Sequence, residues 1–438
     1  MKTEGSTKSF VLGNNFVSLF CVSIYPFYLQ INRLKELFWQ LFRWLFIALI
    51  VGFLAGTASA GFLASLDWVT NFRESNHWII GLLPLGGLFV GFIYHQYGRA
   101  VESGNNLILD EIHAEVENPG KTIPLRMAPL VLFGTIATHF FGGSAGREGT
   151  AIQMGASLAD QLNRPLRINH TDRKILLMSG MSAGFASVFG TPLAGAIFGL
   201  EILSIGRIKY EAIFPCFIAA FVANQVTLEW GIHHTAYFIS FAPALTAVGL
   251  FSAIAAGICF GTVGMLFSRA NHKVSDLFKK YIHYPPFRPL VGGAIVAALV
   301  FSLGTTKYIG LGIPTIVNSF QFQLPPWDFA AKFIFTVITL GAGFKGGEVT
   351  PLFFIGAALG NALGYILPLP FPLLAGMGFV AVFAGAANTP ISSTIMAIEI
   401  FSGKSGAFTA IACVVSYLFS GHSGIYHSQR DGHQKHSQ

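Results

Sequence analysis

The chain has 438 residues, of which 53% are hydrophobic and only 11% charged, and its 27 Lys and Arg against 20 Asp and Glu give a formal charge of +7. A soluble globular domain carries roughly 25% charged residues, so this composition, with a mean hydropathy of +0.60, places most of the chain in a lipid bilayer. The basic residues sit in short loops between apolar runs, which excludes a nucleic-acid-binding face.

In chain order, residues 1 to about 32 form an N-terminal extension, polar and then rich in Phe and Tyr, which reads as a surface helix or a poorly ordered segment. From Asn32 to Arg43 the pattern is amphipathic with Arg33, Lys35 and Arg43, as in a helix on the cytoplasmic membrane surface, so residues 1–39 are set apart from the membrane repeats. Apolar runs long enough to cross a hydrocarbon core, which takes about 20 residues, are Trp44 to Leu66, Trp78 to Tyr94, Ala244 to Phe267 and the stretch from Leu290. These are spans and not a cleavable signal peptide. Glycine-rich breaks precede apolar segments at Ser103-Gly104-Asn105-Asn106, Gly146-Arg147-Glu148-Gly149-Thr150 and Gly346-Gly347-Glu348-Val349-Thr350-Pro351.

Loops rich in Lys and Arg stay on the cytoplasmic side. Three are expected there: Arg164, Arg167, Arg173 and Lys174; Arg207 and Lys209; and Arg269, Lys273, Lys279, Lys280 and Arg288. Val226 to Pro243 has no Lys or Arg and Thr305 to Asp328 has only Lys307, so both face outward. The short His-rich tail, 431–438, reads as a polar end, and both termini are cytoplasmic. Cys21, Cys216, Cys259 and Cys413 have neither disulfide nor metal-ligand spacing; they are expected to be buried small hydrophobes, and no metal or cofactor is implied.

Two ordered blocks of the sequence repeat. At an offset of 198, Phe185-Ala186, Thr191-Pro192, Ile197 and Glu201-Ile202 match Phe383-Ala384, Thr389-Pro390, Ile395 and Glu399-Ile400. At an offset of 201, Gly142, Gly146, Gly155-Ala156 and Leu158 match Gly343, Gly347, Gly356-Ala357 and Leu359. The chain is therefore a duplication with halves near 40–230 and 244–430. Duplicated halves in a membrane protein point to a transporter whose site lies where helices break, because a helix N-terminus binds an anion with unpaired N–H groups and about half a positive charge.

Glu148 carries the most chemistry, since an ionisable side chain flanked by glycine in an apolar region is costly and usually functional. The plain alternative is a surface Glu paired with Arg147. A carboxylate at a helix N-terminus can mimic a transported anion and also pick up a proton.

Gly146-Arg147-Glu148-Gly149 resembles the gating-glutamate motif of the CLC chloride channel and proton-antiporter family, and Gly347 to Pro351 occupies the place of its Gly-x-Phe-x-Pro motif. Gly104-Asn105 resembles that family's first anion-binding turn, and Thr191 to Gly195 with Glu201 resembles the helix that follows the gate. The resemblance implies an all-α polytopic membrane protein, an inverted repeat with many tilted and half-length helices, forming a homodimer with one anion pathway per subunit. Departures matter too: Asn105 replaces a Ser, Val349-Thr350 replace Phe-Ala after Glu348, Thr150 replaces a Pro, and Ile202 stands where proton-coupled chloride exchangers carry an internal glutamate.

With Gly343 to Pro351 and Gly421-His422-Ser423-Gly424-Ile425-Tyr426, these features are similar to the fluoride-exporting branch, which implies fluoride leaving the cell in exchange for a proton. That resemblance makes Glu148 the external gate and proton carrier, Glu348 a second essential carboxylate with Thr350 as hydroxyl partner near it, Asn105 a selectivity residue, and Tyr426 an aromatic hydroxyl at the inner side. Gly146, Arg147, Gly149 and Val349 complete the expected anion path. Plainer roles stand beside these: Asn105 as a helix cap, Tyr426 as an interfacial aromatic, Glu348 as a first-turn Glu, and Glu201 and Glu399 as structural residues. The alternatives in function are a chloride channel or chloride/proton exchanger on the same fold, and an intramembrane hydrolase built on Ser144 and His139. The expected partners are a small anion, a proton, the bilayer of the cell's inner membrane and a second copy of the chain.

Overall fold

A computed structural model describes residues 12–114, 122–401, 403–432 and 435, with side chains from Arg33 onward except at Lys404. The chain is an all-α polytopic membrane protein. Its helices are α1 Leu12–Ser75, α2 Leu83–Ile93, α3 Asn105–His113, α4 Met127–Phe141, α5 Glu148–Gln161, α6 His170–Phe189, α7 Pro192–Glu201, α8 Ile213–Glu229, α9 Ala247–Tyr281, α10 Phe287–Leu303, α11 Ile313–Asn318, α12 Asp328–Gly341, α13 Val349–Leu363, α14 Phe371–Ala387, α15 Pro390–Phe401 and α16 Gly406–Phe419. One two-residue parallel pairing joins Ser204–Ile205 to Arg430–Asp431.

The chain separates into two units, Met1–Ile47 and Ala48–Gln438. The described part of the first is the opening of α1, whose Leu34, Phe38, Trp39 and Phe42 are exposed. The amphipathic stretch expected as a separate surface helix is thus a part of α1. Residues 1–11 lie outside the described residues.

In the second unit, four helical stretches among the described residues are long and apolar enough to cross a membrane: Arg33–Ser75 (which begins in the first unit), His77–His113, Tyr210–Glu229 and Ala247–Tyr281. Most others are shorter. α5 has 14 residues and α13 has 15, hence about 20 Å each at 1.5 Å per residue, against about 30 Å of hydrocarbon. Helices this short must end inside the membrane, where their free N–H groups need partners other than water. They lie deep in the protein because α5 packs backbone to backbone on α6 at Gly155 and Gly180, and α13 on α14 at Gly356 and Gly378. A Cβ added at Gly155 would meet Gly180 O at 2.3 Å, and one at Gly356 would meet Gly378 O at 2.0 Å.

Several sequence expectations need correction. Arg269, Lys273, Lys279 and Lys280 are not loop residues, since α9 continues to Tyr281. Arg173 is not a free loop cation: it lies in α6 and pairs with Asp160 at 2.7 Å and Glu111 at 3.0 Å. The expected span Trp78 to Tyr94 lies within the stretch His77–His113, but it is not one regular α-helix: it opens as a tight turn, His77–Leu82, and continues beyond α2 in a wide one, Tyr94–Gly98. Cys216 and Cys413 are buried, but Cys259 is exposed on α9, where a small apolar thiol is compatible with a lipid-facing position.

Candidate functional site

The site forms where two of the short, deep helices begin. The loops before α5 and α13 meet as an antiparallel pair, Gly146 N–H donating to Gly347 O at 2.6 Å and Gly347 N–H to Gly146 O at 2.8 Å. Gly346 has φ 154°, in the region that favours glycine. This pairing brings the N-termini of α5 and α13 side by side, although Glu148 and Thr350 are 202 residues apart in sequence.

Glu148 is fully buried. Its Oε2 accepts from the Thr350 backbone N–H at 3.0 Å and the Arg147 N–H at 3.1 Å, and its Oε1 accepts from the Thr350 hydroxyl. Arg147 Nε lies 3.8 Å from Oε1. The carboxylate thus takes the place an anion would take at the start of α13, satisfying N–H groups that the helix leaves free. The surface-pair reading of Glu148 does not survive this geometry. Thr350, expected beside Glu348, is instead the partner of Glu148: the first turn of α13 points its second residue across the loop pair and leaves Glu348, the residue before the helix, on the other side.

Cavities open on both sides. On one side Arg147, Glu148, Thr350, His234, Tyr237 and Phe353 line a cavity of about 30 Å³, enough for roughly one water. On the other, Glu348, Asn105, Tyr426, Lys345 and Tyr94 line a cavity of about 150 Å³. It adjoins a vestibule of about 730 Å³ that shares Tyr94, Asn106, Lys345 and Glu348 and is edged by Arg99, Lys279 and Arg288.

The larger cavity holds unsatisfied polar atoms. Asn105 Oδ1 and Tyr426 Oη are buried with no hydrogen-bond partner, a rare and costly state unless a ligand or proton arrives. Asn105 does not cap α3: the cap position is Gly104, with φ 58°, and no side chain caps there. The Asn105 amide approaches the gate closely, since a Cβ at Gly149 would come within 3.2 Å of Asn105 Nδ2. Tyr426 is buried and not an interfacial aromatic. Glu348 occupies the cap position of α13 without a side-chain capping bond and lines the larger cavity. Val349 is buried in the first turn behind it.

Lys345 was not a candidate from sequence. Its Nζ lies 4.1 Å from the centre of the Tyr94 ring and it lines the larger cavity; a cation in an apolar run beside two glycines is the signal that could have found it. Ile202, at the position of the internal glutamate of proton-coupled exchangers, is fully buried. Glu201 beside it accepts from the N–H groups of Ile391 at 3.0 Å and Ser392 at 2.8 Å, while Glu399 accepts from Leu193 at 2.9 Å and Ala194 at 2.8 Å. Each carboxylate caps the helix that carries the other. Ser144 bonds Thr336 at 2.9 Å and the buried His139 ring nitrogens have no partner, so these two residues form no nucleophile–base pair.

Residues 86–421 match the voltage gated chloride channel family. The chain belongs to this family. Among CLC relatives, a "Chloride/fluoride channel protein" of Pseudomonas syringae pv. tomato is 56% identical over 400 residues, covering 90% of this chain and 88% of that one. An H(+)/Cl(-) exchange transporter of Vibrio cholerae serotype O1 is 29% identical over 82% of each chain. The crystal structure of a CLC-type fluoride/proton antiporter superposes with a TM-score of 0.87 at 34% identity, covering 90% of this chain and 99% of that one.

Proposed function

We propose that this CLC protein exports fluoride from the cytoplasm in exchange for an entering proton, that it is a transporter and not an enzyme, and that it works as a homodimer with one pathway per subunit in the inner membrane, both termini cytoplasmic. The observation that carries this reading is the pair of carboxylates at one helix junction: Glu148 closes the small cavity, and Glu348 faces the larger one beside two unpartnered polar atoms. The side of the small cavity is taken as external because His234, Thr235 and Tyr237 come from a segment without Lys or Arg, while the vestibule is edged by Lys279 and Arg288. The matching offsets of 198 residues between Glu201 and Glu399, and between the N–H groups they cap, support two inverted halves near 40–230 and 244–430.

Fluoride holds its water tightly, and only short strong donors replace that shell. The Tyr426 hydroxyl and the Asn105 amide supply donors; turned about, the amide offers its oxygen to an arriving proton. Fluoride is also more basic than chloride, so an entering proton can be handed on between Glu348 and the anion it hydrogen-bonds, without a carboxylate at position 202. Gly146, Arg147, Gly149, Val349 and Thr350 shape the gate between the two cavities.

The second reading, passive or coupled chloride movement, is favoured by the likeness to the chloride/fluoride channel protein of Pseudomonas and to the Vibrio exchanger. Proteoliposomes loaded separately with fluoride and chloride distinguish the two. Fluoride efflux much faster than chloride, with the preference narrowed in Asn105→Ser, supports the proposal; equal fluxes in the parent protein, or a ratio untouched by the substitution, count against it.

A further inference from the structure

Tyr426 presents its hydroxyl to the larger cavity with no bond at its tip, so its place is set by the packing of its buried ring and by the chain behind it. That chain is the segment after α16, of which the sequence marks 431–438 as a polar end. Its backbone is tied to four other parts of the protein. Ile425 N–H donates to Ala386 O at 2.9 Å, Arg430 N–H to Leu203 O at 3.2 Å, and Gly432 N–H to Ile205 O at 3.1 Å. Ser428 N–H donates to Asn106 Oδ1 at 3.1 Å, and His272 of α9 bonds Gly424 O at 2.9 Å.

Two side chains pin the segment further. Gln429 Nε2 donates to Ile202 O at 2.9 Å and Ala387 O at 3.1 Å, and its Oε1 accepts from Asn388 Nδ2 at 2.9 Å. Every polar atom of that amide is used, and it joins the ends of α7 and α14. Lys435 Nζ donates to Gly421 O at 2.6 Å, Tyr417 O at 2.8 Å, Ser420 Oγ at 3.0 Å and Asn388 Oδ1 at 2.5 Å, and it lies 4.0 Å from the Tyr417 ring centre. An ammonium among the free carbonyls ending a helix is a favourable cap. Both side chains converge on Asn388, the left-handed residue that ends α14.

We propose that residues 421–432, together with Lys435, act as a strap that places Tyr426 in the transport site, with Gln429 and Lys435 as its positioning residues and the Asn106–Ser428 bond setting the separation of Tyr426 from the neighbouring Asn105. The inference rests on Tyr426 contacting the anion. Its physical basis is tolerance: a misplacement of about 1 Å at a reacting or binding group can cost on the order of 100-fold in rate, and a ring with no hydrogen bond at its hydroxyl passes slack in the strap on to the site.

The test uses the full chain in proteoliposomes, with initial anion efflux recorded against anion concentration for Gln429→Leu, Lys435→Met and Lys435→Arg, each alone and combined with Tyr426→Leu. Gln429→Leu and Lys435→Met are expected to raise the KM for fluoride and narrow the fluoride-to-chloride ratio, on the order of 10-fold or more, while Lys435→Arg keeps both. With Tyr426 already replaced, the strap variants are expected to add little. Equal losses with and without Tyr426, or an unchanged KM and ratio in both strap variants, overturn the proposal. Lys435→Met alters a partly exposed residue, so a loss of folding confined to Gln429→Leu still leaves the proposal open to refutation. Should the parent protein carry chloride and not fluoride, the function proposed above fails, and the same comparison read on chloride still decides the strap.

Discussion

Two glutamates two hundred residues apart in sequence sit on opposite sides of one loop pair, and their partners divide the labour between them. Glu148 is held by the Thr350 N–H and hydroxyl at the start of α13. A hydrogen bond to a charged group contributes about 1.5–3 kcal/mol, so Thr350→Val is expected to loosen the closed gate by on the order of 10-fold or more, seen as anion leak uncoupled from proton movement in liposomes. An unchanged leak would remove the hydroxyl from the gate. Glu348 faces the opposite problem, because a fixed negative charge 4 Å from a bound anion repels it by about 4 kcal/mol at an effective dielectric near 20. If charge alone mattered, Glu348→Gln would speed export. The account expects it to slow fluoride efflux on the order of 100-fold, the range of a lost proton-transferring group; wild-type efflux in that variant would reduce Glu348 to a bystander.

Elements matter because α5, α7, α13 and α15 all begin within the protein, and each start needs an acceptor. The chain supplies carboxylates for three of them: Glu148 for α13, Glu399 for α7 and Glu201 for α15. Glu201 stands next to the position of the internal proton glutamate of related exchangers, yet both its oxygens are occupied by N–H groups. Glu201→Gln is therefore expected to lower the thermal midpoint, in keeping with about 1 kcal/mol for a lost cap, and to leave the proton-to-anion ratio intact. Loss of coupling without loss of stability would make Glu201 a relay and not a cap.

For the molecule as a whole, what the sequence reveals follows from how local each signal is. The breaks at 103–106, 146–150 and 346–351 were legible because glycine, proline and charge interrupt an apolar run at the residue concerned, and helices α3, α5 and α13 begin there. The repeat offsets suggested which helices correspond. Partners across the fold were not legible: nothing near Thr350 says that its hydroxyl reaches Glu148, and nothing near Arg173 says that Asp160 and Glu111 neutralise it within the protein. The anchoring of the segment after Ser420 is hidden for the same reason, since its order comes from carbonyls at the ends of α7, α14 and α16 and from no pattern of its own. Helix α9 was read too short because four basic residues in its last turns look like a loop when only composition is weighed.

The central claim is that one buried carboxylate both closes the anion path and carries the proton. It is tested most directly by loading proteoliposomes with fluoride and recording external fluoride and internal pH together, for the parent protein and for Glu148→Gln. The account predicts that fluoride efflux from the parent acidifies the lumen in fixed proportion, and that in Glu148→Gln no proton entry accompanies whatever fluoride leaves. Fluoride leaving the parent protein with no change in internal pH, or Glu148→Gln taking up protons in the parent's proportion, would contradict it.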